Sequence, residues 1–238
     1  MSTKSPQIVW RQIQISKDWT HFLLHGKQLF DTQFLSVLKF HAPGLAPVRD
    51  ETGWYIIDAA GKAIAPQRYQ KAWGYYQDRC AVQDTSGCYH ITPEGKPAYA
   101  QRYQQCGNYQ EARCSVRDTV GYHHIDLEGH AIYPDRHRYV GDYKDGIACI
   151  MRQDGQWQHI DPQGKALYAH SFLDLGIYHK GYATARDAGG WCHIDLSGVP
   201  IYEARFRVLE PFYNGLAFGE DLSGGKVIVD FNGTSNTL

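Results

Sequence analysis

Histidine is the residue whose placement first suggests chemistry. His90, His124, His159 and His193 follow one another at intervals of 34, 35 and 34 residues. An imidazole can transfer protons near neutral pH, ligate a metal or hydrogen-bond a bound molecule. Catalytic sites combine unlike groups at one point and metal ligands must converge on one ion, whereas this pattern distributes like groups along the chain. We therefore interpret the column either as a stripe lining a ligand-binding groove or as buried histidines that repeat one structural hydrogen bond, and we predict no catalytic residue and no metal site.

Tryptophan and arginine accompany the histidines. Trp157 and Trp191 each lie two residues before a histidine, which in a strand puts both side chains on the same face. Arg117, Arg152 and Arg186 each end a short segment of small and apolar residues. A guanidinium there can hold an anionic group through two hydrogen bonds or pair with an aspartate of an adjacent repeat. These five residues and the four histidines form the predicted ligand-binding set.

The elements that position these residues are tandem repeats. Whole segments recur, for example HHIDLEG at 123–129, QHIDPQG at 158–164 and CHIDLSG at 192–198. The glycines that end such segments are separated by 34 or 35 residues: Gly61, Gly95, Gly129, Gly164, Gly198 and Gly233. The pattern predicts one repeat domain over residues 1–238, with units that start near residues 19, 53, 87, 121, 155, 190 and 224.

The units are predicted to be all β. Each has Gly or Pro every 7 to 10 residues, is rich in Tyr, Ile, Val and Trp, and lacks the 3.6-residue period of a helix. In the second copy of the repeat we expect strands at 79–83, 87–92 and 96–99, followed by an irregular aromatic connector. The Asp-x-x-Gly segments are typical of hairpin loops in which Asp caps backbone amides and Gly takes a positive φ.

Two columns of the repeat are assigned to the core. Isoleucine follows the histidine position and points to the opposite face of the strand, at Ile57, Ile91, Ile125, Ile160 and Ile194. Cys80, Cys114 and Cys149 are assigned to one further column, in which other copies have alanine. The exchange of cysteine for alanine indicates a small buried side chain.

These motifs resemble the WG-repeat proteins, a widespread bacterial family. The segments GWYIIDAAGKAIAPQRY (53–69), GQWQHIDPQGKALYAHSF (155–172) and GWCHIDLSGVPIYEARF (190–206) carry the resemblance, which covers about residues 19–234. The second glycine of the dipeptide that names the family is absent, and its place is taken by Tyr55, Tyr89, His123, Gln158 and Cys192. The resemblance implies a tandem β-repeat fold and implies no single reaction or ligand.

Units of this size cannot bury their apolar faces alone and must stack on their neighbours. We predict antiparallel hairpin repeats that form an open, curved superhelix (a solenoid), because 34 residues are few for a four-stranded propeller blade of roughly 40 to 45 residues. A closed β-propeller-like ring of six to seven units is the alternative.

Composition narrows the function. The 24 Lys and Arg balance 25 Asp and Glu without a long run of like charge, so nucleic acid is not an expected partner. The sequence shows neither a secretory signal nor a membrane-spanning apolar stretch, and we expect a soluble, cytoplasmic protein that does not bind membranes. We predict a non-enzymatic module that binds a protein partner, with glycan or small-molecule binding as the alternative and an enzyme as the third; no cofactor is expected.

Overall fold

The fold is a series of small antiparallel sheets. The computed structural model describes residues 9–237, which form strands, turns and irregular segments apart from one turn of 3-10 helix at Trp10–Gln12. The chain divides into two compact units, each larger than a single repeat, which are called the first unit and the second unit from here on. The first is the chain up to Thr119 together with Ile125–His130, and the second is Val120–His124 together with the chain from Ala131 onwards. The prediction of an all-β repeat protein is confirmed, and the choice between an open and a closed arrangement stays a prediction.

The first unit contains three complete sheets and one further strand pair. Its sheets have the orders β1-β2-β3, β4-β5-β6 and β7-β8-β9, and β10 pairs with β11. The strands are β1 (Ile13–Ile15), β2 (Phe22–Leu24), β3 (Lys27–Gln28), β4 (Ser36–Val37), β5 (Leu45–Asp50), β6 (Gly53–Asp58), β7 (Lys71–Tyr76), β8 (Arg79–Asp84), β9 (Gly87–Ile91), β10 (Gln105–Cys106) and β11 (Cys114–Arg117).

The second unit contains three sheets, of which the last has a fourth strand. Their orders are β13-β14-β15, β16-β17-β18 and β19-β20-β21-β22. The strands are β13 (Tyr139–Val140), β14 (Ala148–Met151), β15 (Trp157–Ile160), β16 (Asp174–Leu175), β17 (Ala183–Asp187), β18 (Gly190–Ile194), β19 (Val208–Leu209), β20 (Ala217–Glu220), β21 (Lys226–Val229) and β22 (Ser235–Thr237). Strand β12 (Tyr122–Ile125) lies at the division, with its first three residues in the second unit and Ile125 in the first.

One strand of each repeat was assigned to the wrong segment. The expected strand at 96–99 makes only one isolated bridge, between Ile91 and Pro97, and the same segment of other copies also makes a single bridge, through Ala63 and Ala166. The aromatic connector, expected to be irregular, instead supplies the first strand of the sheet, β7 at Lys71–Tyr76. Each sheet therefore joins the connector of one repeat to the hairpin that follows it.

The Asp-x-x-Gly turns form as predicted. Asp58 Oδ1 accepts hydrogen bonds from the amides of Ala60 and Lys62, both at 2.9 Å, and Gly61 has φ +79°. Asp126, Asp161, Asp195 and Asp230 accept the same pair of amide bonds in their own turns. Turn capping is therefore a sufficient explanation for the aspartate column.

The change in period from 34 to 35 residues arises from the length of the hairpin turn that joins the last two long strands of a repeat's sheet. Four residues separate the paired residues Arg186 and Trp191, whereas five separate Met151 and Trp157, and the last sheet has the same longer turn. The extra residue shifts the register that the sequence pattern indicated. Arg152 therefore lies in the turn, one position beyond the strand residue that corresponds to Arg186.

The grouping of Cys149 with the other column cysteines was also wrong by one position. Cys80 pairs with Ile91, whereas Cys149 pairs with His159, and Ala148 takes the small position opposite Ile160. All three cysteines are nevertheless buried, at 0 to 4% exposure.

Both faces of the hairpin strands are buried. The isoleucine column is at most 1% exposed, which confirms its assignment to the core: Ile57, Ile91, Ile125, Ile160 and Ile194. The opposite face, which carries the histidines, is buried as well. A strand that is covered on both sides cannot present either column to solvent, and this decides where the histidines lie.

Candidate functional site

The histidine column lies inside the repeats. His90, His124, His159 and His193 are 0 or 1% exposed. The tryptophans predicted to accompany them, Trp157 and Trp191, are partly buried at the start of the same strands. In this structure the imidazoles line no groove and are not available to a ligand outside the repeat.

Each imidazole makes the same two hydrogen bonds. Nδ1 bonds the hydroxyl of a tyrosine nine residues later, and Nε2 bonds a backbone carbonyl 17 residues later. The Nδ1 bonds are His90 to Tyr99 at 2.5 Å, His124 to Tyr133 and His159 to Tyr168 at 2.6 Å, and His193 to Tyr202. The Nε2 bonds reach the carbonyls of Gly107 at 3.0 Å, Gly141 at 2.8 Å, Gly176 at 2.9 Å and Glu210 at 2.9 Å.

These partners fix the tautomer. A carbonyl oxygen can only accept, so Nε2 carries the proton and donates it, and Nδ1 accepts from the tyrosine hydroxyl. Burial lowers the pKa of His90, His159 and His193 to about 4, because the interior disfavours the charged ring. These three imidazoles are therefore neutral at pH 7, and both nitrogens of all four column histidines are hydrogen-bonded.

Aromatic rings of the following connector cover the imidazoles. The ring centroids of Tyr109 and His90 are 4.7 Å apart, and those of Tyr178 and His159 are 4.4 Å apart. Phe212 stacks on His193 at 3.8 Å. The tyrosine hydroxyls of this column donate in turn to backbone carbonyls of the next hairpin, for example Tyr178 to Asp195 at 2.6 Å. Each histidine thus belongs to a joint between consecutive repeats.

The tyrosine partner of each histidine was missed in the sequence. Its ring packs against the turn glycine of the next repeat, where a Cβ on Gly164 would lie 2.0 Å from Cδ1 of Tyr133. The same contact occurs between Tyr168 and Gly198. The available signal was co-occurrence: every copy with a column histidine has tyrosine nine residues later, whereas Ile56 is followed at that distance by Ala65.

The arginine–aspartate pairs form on a different column from the predicted one. Arg117 and Arg186 are exposed at strand ends, and Arg152 pairs within its own turn with Asp154 at 2.7 Å. The pairs that span neighbouring segments come from the arginine that precedes the first aromatic of the connector: Arg205 with Asp187 at 2.8 Å and Arg68 with Asp50 at 3.7 Å. This second arginine column was also missed.

The first unit has a row of polar clefts at its hairpin turns. One cleft is lined by Asp50, Thr52 and Arg68 with Tyr69 and Gln70, and a cleft one repeat later has the corresponding residues. The tyrosines in these clefts offer no open ring, since Tyr69 and Tyr103 are 6 and 9% exposed. Tyr55 is partly buried and Tyr89 is 5% exposed, and a guanidinium lies over each of these two rings. The clefts therefore lack the free aromatic face on which a sugar would stack.

Exposed apolar side chains concentrate on the second unit. Of the large hydrophobic residues that are exposed among residues 9–237, three lie in the first unit and twelve in the second. Val208 and Phe218 line one groove of about 370 Å³ on the last sheet, together with Glu220 and Lys226. An apolar floor with charged neighbours is the composition of a protein-binding surface.

Residues 9–237 contain neither a cluster of metal-ligating side chains nor a membrane-spanning helix. No group of three or more His, Cys, Asp or Glu is arranged to hold a metal ion. No helix in this part of the chain has the length and apolar character needed to cross a membrane.

Comparison with known proteins shows distant likeness only. No protein-family model and no curated protein matches the sequence. The computationally designed Ika8 protein aligns with a TM-score of 0.49 at 9% identity, covering 94% of this chain and 81% of that one. BamB from Moraxella catarrhalis aligns at 0.48 and 13% identity, covering 95% and 86%. The C-terminal WD40 domain of Sif2 aligns at 0.43 and 8%, covering 88% and 70%. Likeness at this level carries no argument about function, and the WG-repeat resemblance stays a prediction.

Proposed function

We propose that the chain is a non-enzymatic module that binds a polypeptide partner on one face of its last sheet, β19–β22. The observation that carries the proposal is the exposure of Phe218. This side chain is 58% exposed, whereas the residues at its position in three earlier sheets, Ala81, Cys149 and Thr184, are at most 5% exposed.

Strand pairing defines the surface, which we term the open sheet face. Phe218 lies directly opposite Ile228, and Glu220 lies between Val208 on one neighbouring strand and Lys226 on the other. Directly paired residues, and residues two apart in a strand, point to the same side of a sheet. The open sheet face is therefore formed by Val208, Phe218, Glu220, Lys226 and Ile228.

The equivalent face of the preceding sheets indicates what fits there. Phe212 stacks on His193 and Tyr178 covers His159, so this position of the repeat is built to receive an aromatic ring. Ile228 replaces the histidine in the last sheet and retains an apolar surface. The expected partner is therefore an extended segment that places an aromatic side chain over Phe218 and Ile228, with Glu220 and Lys226 fixing its orientation.

The non-enzymatic part of the proposal is supported by the histidines. They are the repeated groups best suited to proton transfer near neutral pH. All four are buried and use both nitrogens to join repeats.

The test compares two surface variants of the whole chain. Phe218→Asp places a charge on the open sheet face, and Leu222→Asp places the same charge on a side chain that is 64% exposed and lies in the turn outside the groove. Proteins that wild type captures from the native source are purified and titrated with wild type and with each variant. We expect Phe218→Asp to weaken binding at least tenfold, or about 1.4 kcal/mol. Equal binding by wild type and Phe218→Asp, or an equal loss in Leu222→Asp, would contradict the proposal.

A further inference from the structure

Two cysteines face each other in the first unit. Cys88 lies in β9 and is 2% exposed, and Cys106 ends β10 and is partly buried. The two thiols lie within hydrogen-bonding reach of each other, and no disulfide joins them.

The backbone brings the two residues together independently of their side chains. Cys88 and Tyr103 exchange both of their backbone hydrogen bonds, at 2.8 and 2.9 Å, so the chain leading to Cys106 runs beside β9. His90 shares the strand face of Cys88, and its Nε2 reaches the carbonyl of Gly107 at 3.0 Å. The residue next to Cys106 is therefore held against the same face that carries Cys88.

Other copies place these two positions in one apolar cluster. Four other copies have an aromatic residue two positions before the histidine column and an aliphatic residue 16 positions after it, and both members belong to the same cluster. The pairs are Trp54 with Ala72, Tyr122 with Val140, Trp157 with Leu175, and Trp191 with Leu209. In the copy of His90 both positions are cysteine. Two positions that share an apolar cluster in other copies therefore both carry a thiol here.

The environment distinguishes this pair from other cysteines of the chain. The Cys106 thiol, by hydrogen bonding to Cys88, holds the pKa of Cys88 below that of an ordinary cysteine, and burial raises the pKa of Cys106. Burial also raises the pKa of Cys80, and raises that of Cys192 to about 11.

We propose that Cys88 and Cys106 form an oxidisable pair that peroxide converts to an intramolecular disulfide. One thiol of the pair, as its thiolate, attacks one peroxide oxygen, the O–O bond breaks, and this cysteine becomes a sulfenic acid while hydroxide leaves. The sulfur of the second thiol then attacks the sulfenic sulfur, the S–S bond forms, and the sulfenic oxygen leaves as hydroxide that takes the proton of the second thiol to become water. Two thiols lose two electrons in total, and hydrogen peroxide accepts them.

The test is direct detection of the cross-link in the full chain. Reduced protein is treated with hydrogen peroxide, the remaining thiols are blocked with N-ethylmaleimide, and the protein is digested with trypsin without reductant. Cys88 then lies with Cys80 on peptide 80–102, and Cys106 lies on peptide 103–113. We expect these two peptides to be recovered as one linked species from monomeric protein, and to separate after dithiothreitol.

Two variants identify the sulfurs. Cys80→Ala, which places the alanine of other copies at this position, is expected to keep the link. Cys106→Val introduces the residue that the copy of His124 has at this position, Val140, and is expected to lose the link. Recovery of both peptides with every thiol blocked overturns the proposal, as does a link that disappears in Cys80→Ala. A link from Cys106 to Cys114 or between two chains also overturns it.

Discussion

The copy that starts at Gly53 and the copy that follows it fill the same joint in different ways. Ile56 and Ala65 hold the positions that His90 and Tyr99 hold one repeat later. The isoleucine is 2% exposed and the histidine 0%. Where the histidine Nε2 would donate to a carbonyl, the Cys80 thiol bonds the carbonyl of Trp73 at 3.0 Å.

The joint therefore requires a filled volume and a donor for one carbonyl, and it does not require an imidazole. This interchangeability is what a scaffold position allows and a binding residue does not. The number of histidine–tyrosine pairs also differs between the two units, since the first contains one such pair and the second contains three. The second unit depends more on histidines that must stay neutral.

The largest expected effect of this difference is acid sensitivity. Folding lowers the pKa of His159 and His193 from about 6.5 to about 4, so the unfolded state binds more protons between these values. Their contribution to stability is present above about pH 6.5 and is lost as pH falls toward 4. The loss is on the order of 3 kcal/mol for each histidine. Chemical denaturation followed by circular dichroism at pH 7, 5.5 and 4.5 measures it.

A double variant with apolar residues in place of one histidine–tyrosine pair provides the matched control. His159→Ile with Tyr168→Ala places the Ile56 and Ala65 pair of residues in the second unit. We expect the free energy of unfolding of this double variant to fall less between pH 7 and 4.5 than that of wild type. The difference should equal the loss that one histidine contributes. An unchanged pH dependence would show that His159 titrates normally.

The isoleucine column is common to both kinds of copy, so its truncation is expected to be costly in either. Ile160→Ala removes a side chain that is 1% exposed and should lower the free energy of unfolding by about 2 to 5 kcal/mol. Ile177→Ala, at a side chain that is 53% exposed, is the control and should change it little. Similar losses in both variants would mean that the strand faces are assigned wrongly.

The tyrosine hydroxyl matters only where a histidine accepts its bond. Tyr168→Phe leaves Nδ1 of His159 buried without a donor, which is expected to cost about 1 to 3 kcal/mol. In the His159→Ile background the same change should cost almost nothing. A double-mutant cycle measured by urea denaturation isolates this coupling. A cost of Tyr168→Phe that is independent of residue 159 would exclude the hydrogen bond as its cause.

The smallest effect concerns the arginine column. Arg205 and Asp187 are partly exposed, at 21 and 36% of their side chains, so Arg205→Gln is expected to cost no more than about 1 kcal/mol. The difference from wild type should shrink as salt is added, because exposed charges are screened. A loss that does not depend on salt would point to packing of the arginine stem instead.

The sequence predicted the features that depend on local chemistry. The period, the Asp-x-x-Gly turns and the buried isoleucine column all follow from residue types at fixed spacing. The partners of the histidines depend on contacts nine and 17 residues away, which strand periodicity does not describe. The pattern also could not reveal that both strand faces are covered, since alternation of His and Ile is typical of a half-exposed strand. Arg152 was misplaced because one added turn residue shifts the register.

The most direct test of the histidine joint is nitrogen NMR of the imidazole rings in the folded protein. We expect the column histidines of the folded wild-type chain to show a protonated Nε2 and an unprotonated Nδ1 at pH 7, with no titration near pH 6.5 while the native spectrum persists. Imidazoles that titrate near pH 6.5 in the native protein, or that carry the proton on Nδ1, would contradict the account.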